Sequence, residues 1–430
     1  MYRIKTTRIL AVILSVAFIL CDYKSVAQAV RANSDESKVP PYTLPDPLRM
    51  PNGKEVNTKE EWITIQRPYI YHLYEENQFG RYPVKHPVLR YRVLETASNA
   101  LQGRATRKQV RIYLHPTDTT IYTDLLMYLP NNIKKPVPVF IGYNFGGNQI
   151  ILPDIAILLT KNWVLTAEKG AVNNRATDSS RGSGASQWQV EEILSHGFAV
   201  ATAYYGDLEP DNPEGWKTGI RTTLKDVLNI QPAEWSAMGA WAYGLSRIMD
   251  YLQKDNDINA AKVALIGHSR LGKAALWAGA SDQRFALITS NESGEGGAAL
   301  SKRWYGETVK IITDVFPHWF VARYKTYGDS ISALPIDAHM LLSLMAPRPL
   351  YVASAEGDTW SDPKGEFLSA KEAGRVYSLF GERGIDVDSM PPLNHPIGDY
   401  VRYHIRDGKH DVTLYDWQQY LQFADGKLKQ

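Results

Sequence analysis

Cysteine is nearly absent: Cys21 is the only one in 430 residues. It falls in a stretch that reads as a removable leader, so the remaining chain has no thiol, no disulfide and no thiolate metal site. That excludes a cysteine nucleophile and a disulfide framework. A bias of charge is missing too. The chain carries 48 Lys and Arg against 46 Asp and Glu. Without the first 29 residues, which hold Arg3, Lys5, Arg8, Lys24 and Asp22, 44 basic and 45 acidic residues remain, a net charge of about −1. Nothing in that balance suits nucleic acid or an anionic membrane. There is no internal repeat and no low-complexity block. The apolar run 9–20 is shorter than the ~20 residues a membrane span needs.

That run has another reading. Arg3, Lys5 and Arg8 precede it, and Ala27-Gln28-Ala29 follows it as an A-x-A cleavage signature. Residues 1–29 are therefore expected to be a secretory signal peptide cut after Ala29, leaving a secreted or periplasmic protein without a membrane segment. A lipoprotein anchored at Cys21 fits poorly, because Leu20 is bulky where a small residue is wanted. Residues 30–60 are polar and proline-rich (Val39-Pro40-Pro41, Leu44-Pro45-Asp46-Pro47) and read as a wrap or tether. Residues 61–430 are expected to form one large catalytic domain. An exported chain without disulfides depends on its core, and about 400 residues can bury a sizeable one. Aromatics are plentiful, with 11 Trp and 25 Tyr, which suits both core packing and sugar stacking.

The middle of the chain alternates strands and helices. Short apolar runs at 125–129, 137–142, 197–205, 262–266, 285–290 and 349–354 end in turn residues. Helical spacing marks 233–252, with Trp235, Met238, Ala242, Leu245 and Met249, and a second helix is expected over 273–280. This alternation argues for a mostly parallel sheet with helices on both faces.

One turn stands out. The strand Val263-Ala264-Leu265-Ile266 runs into Gly267-His268-Ser269-Arg270-Leu271-Gly272, and a small-residue helix follows. A serine at such an apex is lifted out of the sheet, and the next backbone N–H groups open a helix that can hold an oxyanion. The second glycine comes three residues after Ser269, where G-x-S-x-G has it two after. Ser269 is the candidate nucleophile. In the order serine, acid, histidine, the base comes late in the chain. His410 is favoured, on the turn between the strand-like run 401–406 and a closing helix over 416–423. His404 lies within the strand and points into packing; His395 is the runner-up. Glu292 and Asp358 each follow a strand at its carboxyl end, where α/β sheets build their sites, and either fits the orienting acid.

Gly267-His268-Ser269-Arg270-Leu271-Gly272-Lys273 closely resembles the G-C-S-R-x-G-K signature of glucuronoyl esterases, carbohydrate esterase family 15. The resemblance continues through Glu292-Ser293-Gly294, Arg303-Trp304-Tyr305-Gly306-Glu307, Asp358-Thr359-Trp360 and Gly408-Lys409-His410, and spans roughly 60–425. It implies an α/β-hydrolase fold, a three-layer sandwich, and a metal-free, cofactor-free serine esterase. The implied substrates are esters between (4-O-methyl-)glucuronic acid on xylan and lignin alcohols, so glucuronoxylan and lignin–carbohydrate esters are the expected partners of a monomer. Ser269 matches the family's nucleophile and His410 its base. Glu292 matches one acid position and Asp358 another, which many bacterial members also fill. Arg270 matches an oxyanion arginine. Lys273, Glu307 and Trp360 match positions that contact the uronate. His268 stands where fungal members have cysteine, and their disulfides are absent here, which implies a bacterial-type member. Two other readings remain beside it: a carbohydrate O-acetyl esterase, such as an acetyl xylan esterase, and a non-catalytic glycan-binding protein on a hydrolase scaffold.

Overall fold

Successive side chains of a strand point to opposite faces, so a strand apolar at every position must be covered on both. The central strands meet that condition. Val139 and Ile141 enter one core cluster while Phe140, between them, enters the other; Val263 and Leu265 alternate with Ala264 and Ile266 in the same way. The computed structural model describes residues 32–429, and the expected leader, with Cys21 and the cleavage point after Ala29, lies outside the described residues.

Ten strands form the main sheet: β1 (Arg90–Ala100), β2 (Ala105–Tyr113), β3 (Tyr122–Pro130), β4 (Val137–Asn144), β5 (Ala199–Tyr204), β6 (Ile258–His268), β7 (Leu287–Asn291), β8 (Leu350–Ala355), β9 (Ile397–Gly398) and β10 (Val401–Arg406). Their spatial order is β1-β2-β3-β5-β4-β6-β7-β8-β10-β9. From β5 to β10 neighbours run parallel, while β1, β2, β3 and β9 pair antiparallel at the flanks. This is the α/β-hydrolase sheet expected from the sequence. On one face lie α1 (Ala237–Leu252), α2 (Arg270–Ser281) and α3 (Pro363–Tyr377); on the other lies α4 (Leu414–Leu428). α1 starts where Ser236 caps it, accepting from the Gly239 amide, and α4 starts at a capping box between Thr413 and Asp416. Among the described residues no helix is long and apolar enough to cross a membrane.

The proline-rich segment lies along this domain. The Gly306 amide donates to the Asn33 carbonyl, Glu36 pairs with Arg303 and Lys364, and the Gln66 amide group donates to the carbonyls of Pro47 and Arg49. Met50 and Val56 are buried in the core.

Candidate active site

The parallel register brings four carboxyl ends to one rim. His268 at the end of β6 faces Asn291 at the end of β7, Asn291 faces Ala353 in β8, and Ala355 faces Arg406 in β10. The residues just past those ends are Ser269, Glu292, Asp358 and His410, four that the sequence singles out.

Ser269 has φ 56° and ψ −131°, a strained conformation for a residue with a side chain. The turn is this sharp because of two glycines. A Cβ on Gly267 would stand 2.1 Å from the Leu271 carbonyl oxygen, and one on Gly272 would stand 2.9 Å from the Ser293 Cβ. That explains the displaced second glycine: position 271 is filled by a leucine buried in the core, and the close approach to Ser293 falls on 272. α2 begins at Arg270, so the N–H groups of Arg270 and Leu271, which precede the first bonds from Gly272 and Lys273 back to the Ser269 carbonyl, sit beside the serine.

His410 is gripped at one ring nitrogen by both acids. Its Nδ1 lies 2.6 Å from Asp358 Oδ2 and 3.1 Å from Glu292 Oε2. Nδ1 therefore carries the hydrogen, leaving Nε2 free to take a proton. The two acids differ in their other partners. Glu292 is fully buried, and its Oε1 also accepts from Arg406 Nη2 at 2.6 Å while Oε2 accepts from the Asp411 amide at 3.1 Å. Burial pushes the Glu292 carboxyl up to about 7 against the pull of His410 and Arg406. For Asp358 burial also opposes ionisation, but the hydrogen bond and charge of His410 outweigh it and leave its pKa lowered. Burial disfavours charge on His410, yet the two carboxylates overcome it and lift its pKa to about 9.

The remaining residues frame this centre. Arg270 Nη1 donates to Asp211 Oδ2 at 2.9 Å, and its guanidinium lies over the rings of Phe145 and Trp319. Lys273 is buried, donates to the Ser293 carbonyl at 2.6 Å and sits 3.8 Å from Glu307. Burial lowers the Lys273 pKa and raises that of Glu307, whose carboxyl feels the charges of Lys273, Arg270 and His410. Trp360 is 42% exposed, its ring open to a ligand. The His268 ring packs against that of His410 at a tilt of 38°, with centroids 4.5 Å apart, and bonds Asn291 Oδ1 at 2.6 Å; Asn291 in turn donates to Tyr420. Burial, with the neighbouring His410 charge, drives His268 down to about 3, so it is a neutral wedge behind the base. His404 is buried between Tyr351 and Asp416, and His395 is exposed and bonded to the Leu393 carbonyl, so neither joins the site.

Sequence reasoning missed Asp211 and Arg406. Asp211 carries the signal that marked Glu292 and Asp358, an acid shortly past a parallel strand, here β5. Arg406 looked like one more strand residue. Among the described residues, His268, Glu292 and His410 have ligand atoms within 4.8 Å of one another, the spacing of a metal site. Their donors are committed elsewhere: Glu292 to Arg406 and the Asp411 amide, His410 Nδ1 to Asp358. The donor set thus fits an acid–imidazole couple better than an ion.

Comparison with known proteins places the chain in a family. A family model described as fungal glucuronyl esterase matches residues 227–381. A carbohydrate esterase from an unknown prokaryotic organism is 46% identical over 402 residues, covering 93% of each chain. A 4-O-methyl-glucuronoyl methylesterase of Phanerochaete carnosa is 30% identical over 79% of this chain and 72% of its own. Among solved structures, a glucuronoyl esterase from Solibacter usitatus is 50% identical, with TM-score 0.86 over 92% of this chain and 100% of that one. A promiscuous CE15 esterase from a marine bacterial metagenome is 44% identical, with TM-score 0.86 over 93% and 100%. The chain belongs to the glucuronoyl esterases of carbohydrate esterase family 15.

Proposed function

We propose that this protein is a serine esterase that cleaves esters of glucuronic acid, or its 4-O-methyl form, linked to alcohols such as those of lignin. The observation that carries this reading is the clasp of His410 Nδ1 by Asp358 and Glu292 on the rim where Ser269 stands strained at its elbow. Ser269 Oγ attacks the C6 carbonyl of the uronate ester while His410 Nε2 takes its proton. Arg270 and the first N–H groups of α2 hold the oxyanion. The alcohol leaves with the proton from His410, and water, deprotonated by the same nitrogen, releases glucuronate from the acyl-enzyme. Lys273, Glu307 and Trp360 bind the sugar: the buried ion pair offers polar groups to its hydroxyls, and the half-exposed indole offers a flat apolar face. No step uses a metal or cofactor. The enzyme acts as a monomer, exported after cleavage behind Ala29, with glucuronoxylan-bound esters as substrates.

The test compares benzyl glucuronate, its galacturonate epimer and acetylated xylan. Turnover concentrated on the glucuronate ester is expected. Faster release of acetate than of benzyl alcohol would refute the assignment. Binding of xylan fragments with no ester turned over would return the chain to glycan binding alone.

A further inference from the structure

Outside the serine, histidine and acids, one more carboxylate touches the reacting machinery. Asp211, in the loop past β5, has a side chain only 2% exposed. Each of its oxygens accepts two hydrogen bonds: Oδ2 from Arg270 Nη1 at 2.9 Å and Tyr205 Oη at 2.9 Å, Oδ1 from His318 Nε2 at 2.8 Å and Trp319 Nε1 at 2.7 Å. Burial opposes its ionisation, but the hydrogen bond from His318 and the charge of Arg270 outweigh it and hold the carboxyl at about 2. Asp211 is therefore an anion wherever the enzyme works.

We infer that Asp211 is a positioning residue that aims the Arg270 guanidinium at the reacting carbonyl and occupies part of its hydrogen-bonding fork, so that the product carboxylate is not trapped. A long arginine beside a nucleophile has many rotamers, and oxyanion stabilisation needs a donor fixed before charge develops. Arg270 is fixed from three sides: Asp211 holds one edge, and Phe145 and Trp319 flank the guanidinium at 5.4 and 5.3 Å from their ring centroids. Trp319 does both jobs, since its indole N–H bonds the same carboxylate.

The second half of the inference follows from the charges of the reaction. The ester carbonyl enters neutral, the tetrahedral intermediate presents one oxyanion, and the product is a carboxylate with two oxygens. A free guanidinium pairs with a carboxylate through two parallel N–H bonds. Near Arg270 the other charged groups are Lys273, Glu168 and Glu307, besides Asp211 itself. Lys273 already faces Glu307 at 3.8 Å, so an Arg270 free of Asp211 would be the cation that holds glucuronate strongly. With Asp211 on the Nη1 edge, Arg270 still has an N–H to offer a single oxyanion, but part of its fork and much of its charge are already taken.

The inference rests on Arg270 serving the oxyanion, and a mutant cycle separates the two. Asp211→Asn, Arg270→Ala and the double variant are assayed on benzyl glucuronate, with free glucuronate as inhibitor. Asp211→Asn alone is expected to lower kcat about 10- to 100-fold, the scale of a misplaced oxyanion donor, with KM little changed. It is also expected to tighten inhibition by glucuronate several-fold, which general loosening of the fold would not do. In the Arg270→Ala background Asp211→Asn should have almost no further effect on kcat. Equal losses from Asp211→Asn with and without Arg270, or unchanged glucuronate inhibition, would overturn the inference while leaving Arg270→Ala damaging. A harmless Arg270→Ala would overturn the oxyanion assignment itself and this inference with it. If Asp211→Asn does not fold, Tyr205→Phe removes one donor from the oxygen that Arg270 shares. Its smaller kcat loss must likewise vanish in the Arg270→Ala background.

Discussion

Asp358→Asn and Glu292→Gln should separate activity from stability. His410 Nδ1–H points most closely at Asp358, 2.6 Å against 3.1 Å for Glu292. A charge-assisted hydrogen bond contributes ~1.5–3 kcal/mol. Asparagine keeps the shape but loses the charge, and its NH2 can donate to a bare Nδ1 and favour the wrong tautomer. With Glu292 still in reach, Asp358→Asn should cost about 10- to 100-fold in kcat/KM, with little change in unfolding free energy. Glu292→Gln leaves His410 its closer acceptor, so activity should fall less. It strips one partner from buried Arg406, which keeps Asp416 at 2.8 Å and the carbonyls of Lys409 and Asp411. Breaking a buried pair costs ~3–5 kcal/mol; with those partners retained, a loss of ~1–3 kcal/mol is expected by urea unfolding. The pH profile gives a third readout. The base works as neutral imidazole, so kcat/KM rises with pH through the His410 pKa, which the two acids lift to about 9. Removing Asp358 lowers that pKa, so the acid limb should move to lower pH. A larger activity loss in Glu292→Gln at equal folded fraction, or an acid limb that stays put in Asp358→Asn, would refute this account of the clasp.

Gly267→Ala should open the elbow, because its Cβ meets the Leu271 carbonyl oxygen at 2.1 Å; a fall of at least ~100-fold in kcat/KM is expected, as for any 1 Å misplacement of a reacting group, measured on benzyl glucuronate. His268→Gln should reduce acid sensitivity of the fold. His268 titrates near 3 in the native state and about 6.5 unfolded, so the unfolded chain takes up the proton first and stability falls as pH drops from 6.5 toward 3. Relative to the parent, the variant should gain ~3 kcal/mol between pH 7 and pH 4, read by urea unfolding at both. Trp360→Ala should raise KM for the glucuronate ester several-fold with kcat nearly kept, since the half-exposed ring serves binding; an unchanged KM would remove Trp360 from the sugar site.

The central fold was legible because it is buried on both sides. β4, β5, β7 and β8 read as short apolar runs, as did the 262–266 part of β6 apart from Lys262, and β10 was marked by alternation at the same residues, 401–406. β1 and β2 escaped notice because their sequences, RYRVLETASNA and ATRKQVRIY, look like solvated chain. β1 is largely exposed, and the buried cations of β2 are matched through space: Arg107 by Glu95 and Asp154, Lys108 by Asp255 and Asp257. No local pattern announces partners that distant. α1 was expected from 233, but Pro232 opens a short 3-10 turn, Trp235 is extended, and the helix waits for the Ser236 cap. In the candidate site, strand ends placed Ser269, His410, Glu292 and Asp358. The sequence left the acids' division of labour open because it turns on Arg406 and the Asp411 amide, contacts set by tertiary packing. Asp211 was obscured by Asp207 and Glu209 in the same loop, whose partners only the fold distinguishes.

The most direct test of the whole account is Ser269→Ala on benzyl glucuronate, with folding checked by urea unfolding. The side chain stands at the rim and makes no capping hydrogen bond to α2, and removing a triad nucleophile leaves only the residual catalysis of the oxyanion site. The account predicts native unfolding behaviour with turnover reduced at least ~10⁴-fold. Turnover near that of the parent enzyme in a folded Ser269→Ala protein would contradict it.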